Sequence, residues 1–235
     1  MVYALIVAGG KGTRFTSHTL KQYLPLAGVP ILTRTLRVFD DCEVIDQLVA
    51  VVPQPDIVFV RDAILGPAAL HKSVRIVAGG LRRQDSVFNG LAAIDTDESL
   101  VVIHDAVRPL VSCESITSCV NIAQQYGACI VALPVWDTLK RTTVSGIIET
   151  TLPRERVWLA QTPQAFRTRL IRLAHECARR EAFLGTDDAG LVERMGITVH
   201  ICRGSRRNIK ITTAEDLSLA EALLNSYETE DRGRC

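Results

Sequence analysis

Short, almost uninterrupted apolar runs alternate with amphipathic stretches up to Pro134, and this alternation constrains the fold more than any other feature. The runs cover residues 3–7, 48–52, 74–77, 100–104 and 129–133, and all are rich in β-branched residues. Such runs are expected of parallel strands covered on both faces, whereas a half-exposed strand would alternate polar and apolar positions. The stretches at 31–39, 56–65, 85–94 and 114–126 carry helical periodicity. Strand and helix therefore take turns, which predicts an α/β fold with a mostly parallel sheet flanked by helices. Right-handed crossovers place the loops after the strands on one sheet edge, where such folds bind ligands.

After Pro134 the pattern changes. Residues 136–158 are rich in Thr and β-branched residues, with Gly146 at a turn, and predict a projecting β-hairpin arm. A two-stranded hairpin is marginal alone, so the arm is expected to pack on another subunit. Helical patterns return at 167–182, 187–195 and 214–225, with a strand at 198–202. Thr213 and Asp216 have the spacing of a capping box for the last helix, and Asp187 is placed to cap the helix after it. Residues 1–227 thus read as one domain, with 136–158 as a dimerisation arm and 228–235 as a frayed tail. No run reaches the roughly 20 apolar residues of a membrane span, and the start reads as a buried strand, not a leader.

Charge and aromatic content exclude whole classes of partner. Twenty-seven Lys+Arg against 26 Asp+Glu leave a formal +1, and aromatic residues make up 5%. That balance argues against a nucleic-acid coat or a membrane-surface protein, and so few aromatics disfavour base-stacking platforms. The seven cysteines are scattered without a Cys-x-x-Cys pair. They read as reduced core thiols of a cytoplasmic protein, not as a zinc site or a disulfide framework.

The loop Ala8-Gly9-Gly10-Lys11-Gly12-Thr13-Arg14 leaves the first strand directly. Its glycines let backbone N–H groups approach a phosphate or base, and Lys11 and Arg14 add positive charge. It is not a Walker A loop, because Gly12 follows Lys11, and it lacks the third glycine of the dinucleotide fingerprint, because position 15 is Phe. Lys21 and a Pro/Gly-punctuated lead-in to a helix follow, a pattern of nucleotidyltransferases. Attack of a phosphate oxygen on an α-phosphorus crowds negative charge, which fixed cations stabilise; Arg14 and Lys21 are the candidates. His104-Asp105-Ala106-Val107-Arg108-Pro109 ends an apolar strand, placing Asp105 where a carboxylate can hold Mg²⁺ against phosphates. Arg108 is a candidate for an anionic substrate, and His104 reads as a packing residue.

Eight motifs in order carry a more specific resemblance. They are Ala8-Gly9-Gly10-x-Gly12-x-Arg14, Lys21-Gln22-Tyr23-Leu24, Gly79-Gly80-x-x-Arg83-x-Asp85-Ser86-Val87 and His104-Asp105-Ala106-x-Arg108-Pro109. Asp137-Thr138-x-Lys140, Gln161-Thr162-Pro163-Gln164-x-Phe166, Thr186-Asp187-Asp188-Ala189 and Asn208-Ile209-Lys210-Ile211-Thr212 follow. Together they resemble the 2-C-methyl-D-erythritol 4-phosphate cytidylyltransferase family over residues 3–224. The resemblance implies a glycosyltransferase-A-like nucleotide-binding fold, a homodimer, and CTP with Mg²⁺ in isoprenoid precursor synthesis. By matching position it implies that Arg14 and Lys21 stabilise the transition state. It gives CTP to Ala8, Gly9, Gly10, Lys11, Gly12, Gly80, Arg83 and Ser86, and the metal to Asp105. It places Arg108, Thr138, Lys140 and Thr162 around the sugar phosphate, with Arg154 and Lys210 positioning it. The arm would swap across the dimer, so Arg154 would serve the neighbour's site. Arg206-Arg207, just before Asn208, read as added surface charge. A D-ribitol 5-phosphate cytidylyltransferase, or a CTP-binding module without catalysis, are the other readings.

Overall fold

The computed structural model describes residues 1–9 and 20–232. The strands are β1 (Val2–Val7), β2 (Pro25–Leu26), β3 (Val29–Pro30), β4 (Gln47–Val52), β5 (Val74–Ala78), β6 (Leu100–Asp105), β7 (Ala128–Pro134), β8 (Leu139–Thr142), β9 (Ile148–Leu152), β10 (Trp158–Arg167) and β11 (His200–Arg203). The longer helices are α1 (Ile31–Asp41), α2 (Arg83–Ala92), α3 (Cys113–Tyr126), α4 (Thr168–Arg180), α5 (Asp188–Arg194) and α6 (Ala214–Arg232). Seven strands form the central sheet in the order β11-β7-β10-β6-β1-β4-β5. β10 runs antiparallel to both its neighbours, and the other pairings are parallel.

The apolar runs form strands because both of their faces are covered. Along β1, Ala4 and Ile6 enter one core with α1 and α3, while Tyr3, Leu5 and Val7 enter a second core with α2 and α4. A third, smaller core joins Leu26, Ile31 and Val107 to Ile211 and Ala220, and so holds α6 beside the cleft edge. α3 begins at Ser112, whose hydroxyl accepts from Ser115 N–H, and stops at Gly127 in the left-handed region (φ 95). Those are the expected cap chemistries. The described cysteines are free thiols, and no helix among the described residues is long and apolar enough to cross a membrane.

Four expectations shift. Residues 54–68 do not form one amphipathic helix but short turns of 3-10, α and π type. Pro67 removes a backbone donor and Ala69 turns left-handed (φ 51), so the winding cannot continue. The two-residue ladder β2–β3 precedes α1 where only a punctuated lead-in was expected. α6 runs on to Arg232, so the backbone at 228–232 is helical instead of a loose tail. Most consequential is β10, a strand the sequence hides. Pro163 within it cannot donate to a ladder, and the register breaks between Ala160 and Gln164, a bulge that accommodates it.

The arm matches expectation. β8 and β9 pair antiparallel across a turn with Gly146 at φ 85, and Val144, Ile147, Ile148 and Leu152 are exposed on it.

Candidate active site

Parallel pairing sets Val7 beside Asp105, so the carboxyl ends of β1 and β6 open together on one edge of the sheet. A cleft of about 310 Å³ lies there. Val7, Ala8 and Gly9 form one wall, Lys21 and Gln22 another, and the start of α2 a third through Arg82 and Arg83. Asp105, Val107 and Lys210 close it. Sheet edge and helix N-terminus therefore meet where anions are favoured by unpaired N–H groups and fixed dipoles.

Ser86 explains the small residues of this corner. Its buried hydroxyl accepts from Gly80 N–H (3.0 Å) and donates to Arg82 O (3.1 Å). A Cβ on Gly9 would lie 2.8 Å from that oxygen, and one on Gly79 2.9 Å. Two glycine loops thus close on one hydroxyl, which is packed behind the cleft wall and does not line the cleft. Asp85 caps α2 by accepting from Arg82 N–H (3.2 Å), which aims the first turn at the cleft. Gln22, nearly fully buried, donates to Ala8 O (2.7 Å) and ties the Lys21 segment to the end of β1.

A network of opposite charges fills the cleft floor. Arg83 donates Nε to Asp105 Oδ1 (2.9 Å) and Nη1 to Asp188 Oδ2 (2.8 Å). Lys210 Nζ lies 2.7 Å from Asp105 Oδ2, and Arg108 Nε lies 4.0 Å from the same oxygen. Burial alone would raise the Asp105 pKa, but the charges of Arg83 and Lys210 outweigh it and hold the carboxyl well below the usual carboxylate range. Burial likewise works against the Arg83 charge, yet Asp188 and Asp105 keep it firmly protonated. Asp188 also accepts from His175 Nε2 (3.1 Å) in a fully buried contact. Burial lowers Arg108 against the opposing pull of Asp105.

Behind Asp105 a hydrogen-bond chain fixes the strand end. Asp105 N–H donates to Thr162 Oγ1 (3.1 Å), and Thr162 meets His104 Nδ1 at 3.0 Å. His104 Nε2 faces Arg108 O at 3.0 Å; a carbonyl only accepts, so Nε2 carries the proton and Nδ1 receives the Thr162 hydroxyl. The bulge in β10 is what brings Thr162 here. Thr162 therefore supports the floor and does not line the cleft. Arg108, mostly buried, donates Nη1 to Asn208 O (2.7 Å), and Asn208 donates to Thr162 O (2.8 Å). With Ile211 N–H on Val107 O (2.9 Å), these bonds dock the segment carrying Lys210 against β6 and β10.

The structure gathers Ala8, Gly9, Lys21, Arg83, Asp105 and Lys210 in one cleft, with Gly80, Ser86, Arg108 and Thr162 in its supporting wall. Gly10, Lys11, Gly12 and Arg14 lie outside the described residues. Thr138, Lys140 and Arg154 sit on or beside the arm, exposed and not part of the cleft lining. Lys140 donates to Thr151 (2.7 Å), and Arg154 donates to Trp136 O. Asp187 caps α5 by accepting from Gly190 N–H (3.0 Å), as expected. Arg206 stacks over the Trp136 ring (4.3 Å) and Arg207 donates to Ser226, so neither lines the cleft. Sequence reasoning missed Asp188, His175, Gln22 and Asn208 as supports. The run Thr186-Asp187-Asp188-Ala189 held a signal for Asp188, since an acidic pair after a buried cation invites a search for its partner.

Comparisons with known proteins agree over nearly the whole chain. The sequence model of the family described as 2-C-methyl-D-erythritol 4-phosphate cytidylyltransferase (IspD) matches residues 2–226. The chain is 48% identical over 227 residues to the protein of that name from Syntrophus aciditrophicus, covering 97% of each. It is 47% identical over 231 residues to that from Geotalea uraniireducens, covering 97% of this chain and 99% of the other. Among solved structures, the 4-diphosphocytidyl-2C-methyl-D-erythritol synthase of Anaerococcus prevotii is similar with a TM-score of 0.84 and 33% identity, over 95% of this chain and 96% of that one.

Proposed function

The chain belongs to the 2-C-methyl-D-erythritol 4-phosphate cytidylyltransferase family, and from that premise we propose how its cleft divides the work of the reaction. CTP and 2-C-methyl-D-erythritol 4-phosphate give the cytidyl diphosphate of methylerythritol and pyrophosphate. An oxygen of the substrate phosphate forms a bond to the α-phosphorus of CTP, and the bond from that phosphorus to the β-phosphate oxygen breaks. The attacking group is already an anion at neutral pH, so no general base is needed, and catalysis rests on positioning and charge neutralisation.

The observation that carries this assignment is the convergence of Lys21, Arg83 and Lys210 on a cleft floored by Asp105. Ala8 and Gly9 present backbone to the nucleotide, Gly10, Lys11 and Gly12 are assigned to the same contact from their place in the motif, and Gly80 and Ser86 shape its seat. Lys21 and Arg14 neutralise charge at the α-phosphate. Lys210, on a half-exposed flexible stem, turns from Asp105 to the incoming phosphate, and Arg108 supports that end of the cleft. Thr138, Lys140 and Arg154 act from the arm of a second copy, which makes the working form a homodimer. The exposed apolar side chains along the arm support that docking.

Asp105 suits Mg²⁺. It is the one carboxylate lining the cleft among the described residues, and its Oδ2 is held mainly by the half-exposed Lys210. Mg²⁺ is commonly bound by one or two carboxylates with phosphate oxygens completing its shell. The ion, when bound, withdraws charge from the triphosphate and its leaving pyrophosphate. Arg83 orients Asp105 for that contact, and Thr162 and His104 keep the strand end in place.

A pyrophosphate-release assay tests the reading, with purified protein, CTP, Mg²⁺ and one of three acceptor conditions. Release with methylerythritol phosphate and little with ribitol phosphate or no acceptor is expected. Stronger release with ribitol phosphate would reassign the acceptor. Binding of CTP without release under any condition would leave a nucleotide-binding module.

A further inference from the structure

Three cysteines that stand apart in sequence meet inside the molecule, away from the cleft. Cys119 lies on the buried side of α3, Cys129 on β7 and Cys202 on the edge strand β11. β7 and β11 pair in parallel with Cys129 opposite His200 and Val131 opposite Cys202. The two thiols therefore emerge on the same sheet face, two residues apart along the ladder, and Cys119 meets them from α3. All three sulfur atoms lie within 4.8 Å of one another, and no carboxylate or imidazole joins the group among the described residues. Cys119 Sγ donates to Cys129 O (3.3 Å) and Pro163 O (3.6 Å), and Cys129 Sγ to Ile130 O (3.7 Å). Cys119 and Cys129 are fully buried, while Cys202 keeps 7% exposure at the sheet edge.

A disulfide does not suit this arrangement. Neighbouring strands with a two-residue offset put the Cα atoms of Cys129 and Cys202 about 8 Å apart, beyond the span of a disulfide. A bridge from Cys119 to either would leave the third thiol unused. A tripod of sulfur atoms instead has the shape of a coordination site. Three sulfurs about 2.3 Å from a central ion stand about 4 Å from each other, which the 4.8 Å bound on their separation allows. Hard cations such as Mg²⁺ need oxygen ligands. Zn²⁺ needs a fourth donor, and no fourth cysteine, histidine or carboxylate joins the three among the described residues.

We propose that Cys119, Cys129 and Cys202 form a trigonal three-sulfur site for a soft monovalent d¹⁰ cation of the Cu(I) class. Thiolate ligands select such ions over harder ones, and a water-poor core suits a low coordination number. The ion enters at the edge of the sheet past Cys202. Binding releases thiol protons to solvent, so apparent affinity rises with pH.

The test uses the full-length reduced protein under anaerobic conditions, with Cu(I) supplied from a chromogenic chelator. One Cu(I) per chain should leave the chelator, and X-ray absorption should find three sulfurs at about 2.3 Å with no nitrogen or oxygen in the shell. Cys202→Ser, at the least buried of the three positions, should weaken competition at least a hundredfold. A Cys42→Ser/Cys113→Ser/Cys177→Ser control should bind as the wild type does. Failure of the wild type to compete, or a two-sulfur shell, would overturn the site. So would undiminished binding by Cys202→Ser. The absorption measurement needs no variant, so it decides the matter even if Cys202→Ser folds poorly.

Discussion

Arg83 sits between two carboxylates, one facing the cleft and one behind it, and this gives single residues unequal weights. Lys21 lines the cleft and, in the proposed mechanism, neutralises charge at the α-phosphate, so Lys21→Ala should fold normally and lose turnover by about 10²–10³. Turnover near wild type in a folded Lys21→Ala protein would remove it from the transition state. Asp188 does not line the cleft; it holds Arg83 and is itself held by His175, which fits a positioning residue. Asp188→Asn should cost about 3 kcal/mol of stability, because a buried cation loses half of its pairing. The rate per folded molecule should also fall about tenfold through raised KM for CTP, by misplacing Arg83. Denaturant titration and steady-state kinetics on the soluble protein separate the two effects, and an unchanged KM would confine Asp188 to stability. Lys21 and Asp105 were legible from short motifs beside a helix start and a strand end, whereas Arg83 and Lys210 came only from the family resemblance. The contacts that Asp188, Asn208 and Thr162 make join segments far apart in the chain, so the motifs name these residues without revealing their partners.

At the scale of elements, the arm and β10 were read with opposite success. The arm announces itself through Thr-rich alternation around Gly146, and it forms as β8 and β9. β10 has no comparable signal, because Pro163 interrupts its ladder and only its bulge makes the proline tolerable. The motif Gln161-Thr162-Pro163-Gln164 was therefore visible while its strand was not. The arm carries Arg154 outside the cleft lining of its own chain. On the proposed arm-swapped homodimer, mixing Arg154→Ala with Lys21→Ala should restore activity, since a mixed dimer would contain one site with both native residues. Recovery of up to about half the wild-type rate per mixed dimer is expected by counting sites, measured by pyrophosphate release after subunit exchange. No recovery despite demonstrated exchange would return Arg154 to its own chain's site.

Over the whole molecule, the near-zero net charge concealed a local excess. Lys21, Arg82, Arg83 and Lys210 line one cleft with Asp105, and acidic residues elsewhere complete the balance. The composition was silent about the cleft, because a sum carries no positions. Buried ionisable groups also set the acid limit of the fold. Burial pushes His104 down to about 4, whereas the unfolded chain's histidines titrate near 6.5. That contribution is full above pH 6.5 and is lost as pH falls toward 4, on the order of 3 kcal/mol across the interval. Asp105 and Asp188, held low chiefly by Arg83 against the opposing effect of burial, add stability that disappears below about pH 4. Urea midpoints should therefore decline gently from pH 7 to 5 and steeply below 4. A His104→Gln protein should show a flatter upper segment; an unaltered slope there would clear His104 of the effect. The sheet order has a consequence for synthesis on the ribosome. β5, β4, β1 and β6 all precede residue 106 and are neighbours, so they can assemble early as a four-stranded unit. The strand that seals the open side of β6 is β10, whose last residue is Arg167. Until it emerges, a nascent chain displays an apolar strand with unsatisfied backbone groups, the kind of edge that recruits other chains. Ribosome-bound chains in which β6 has emerged and β10 has not should be the forms most dependent on chaperones.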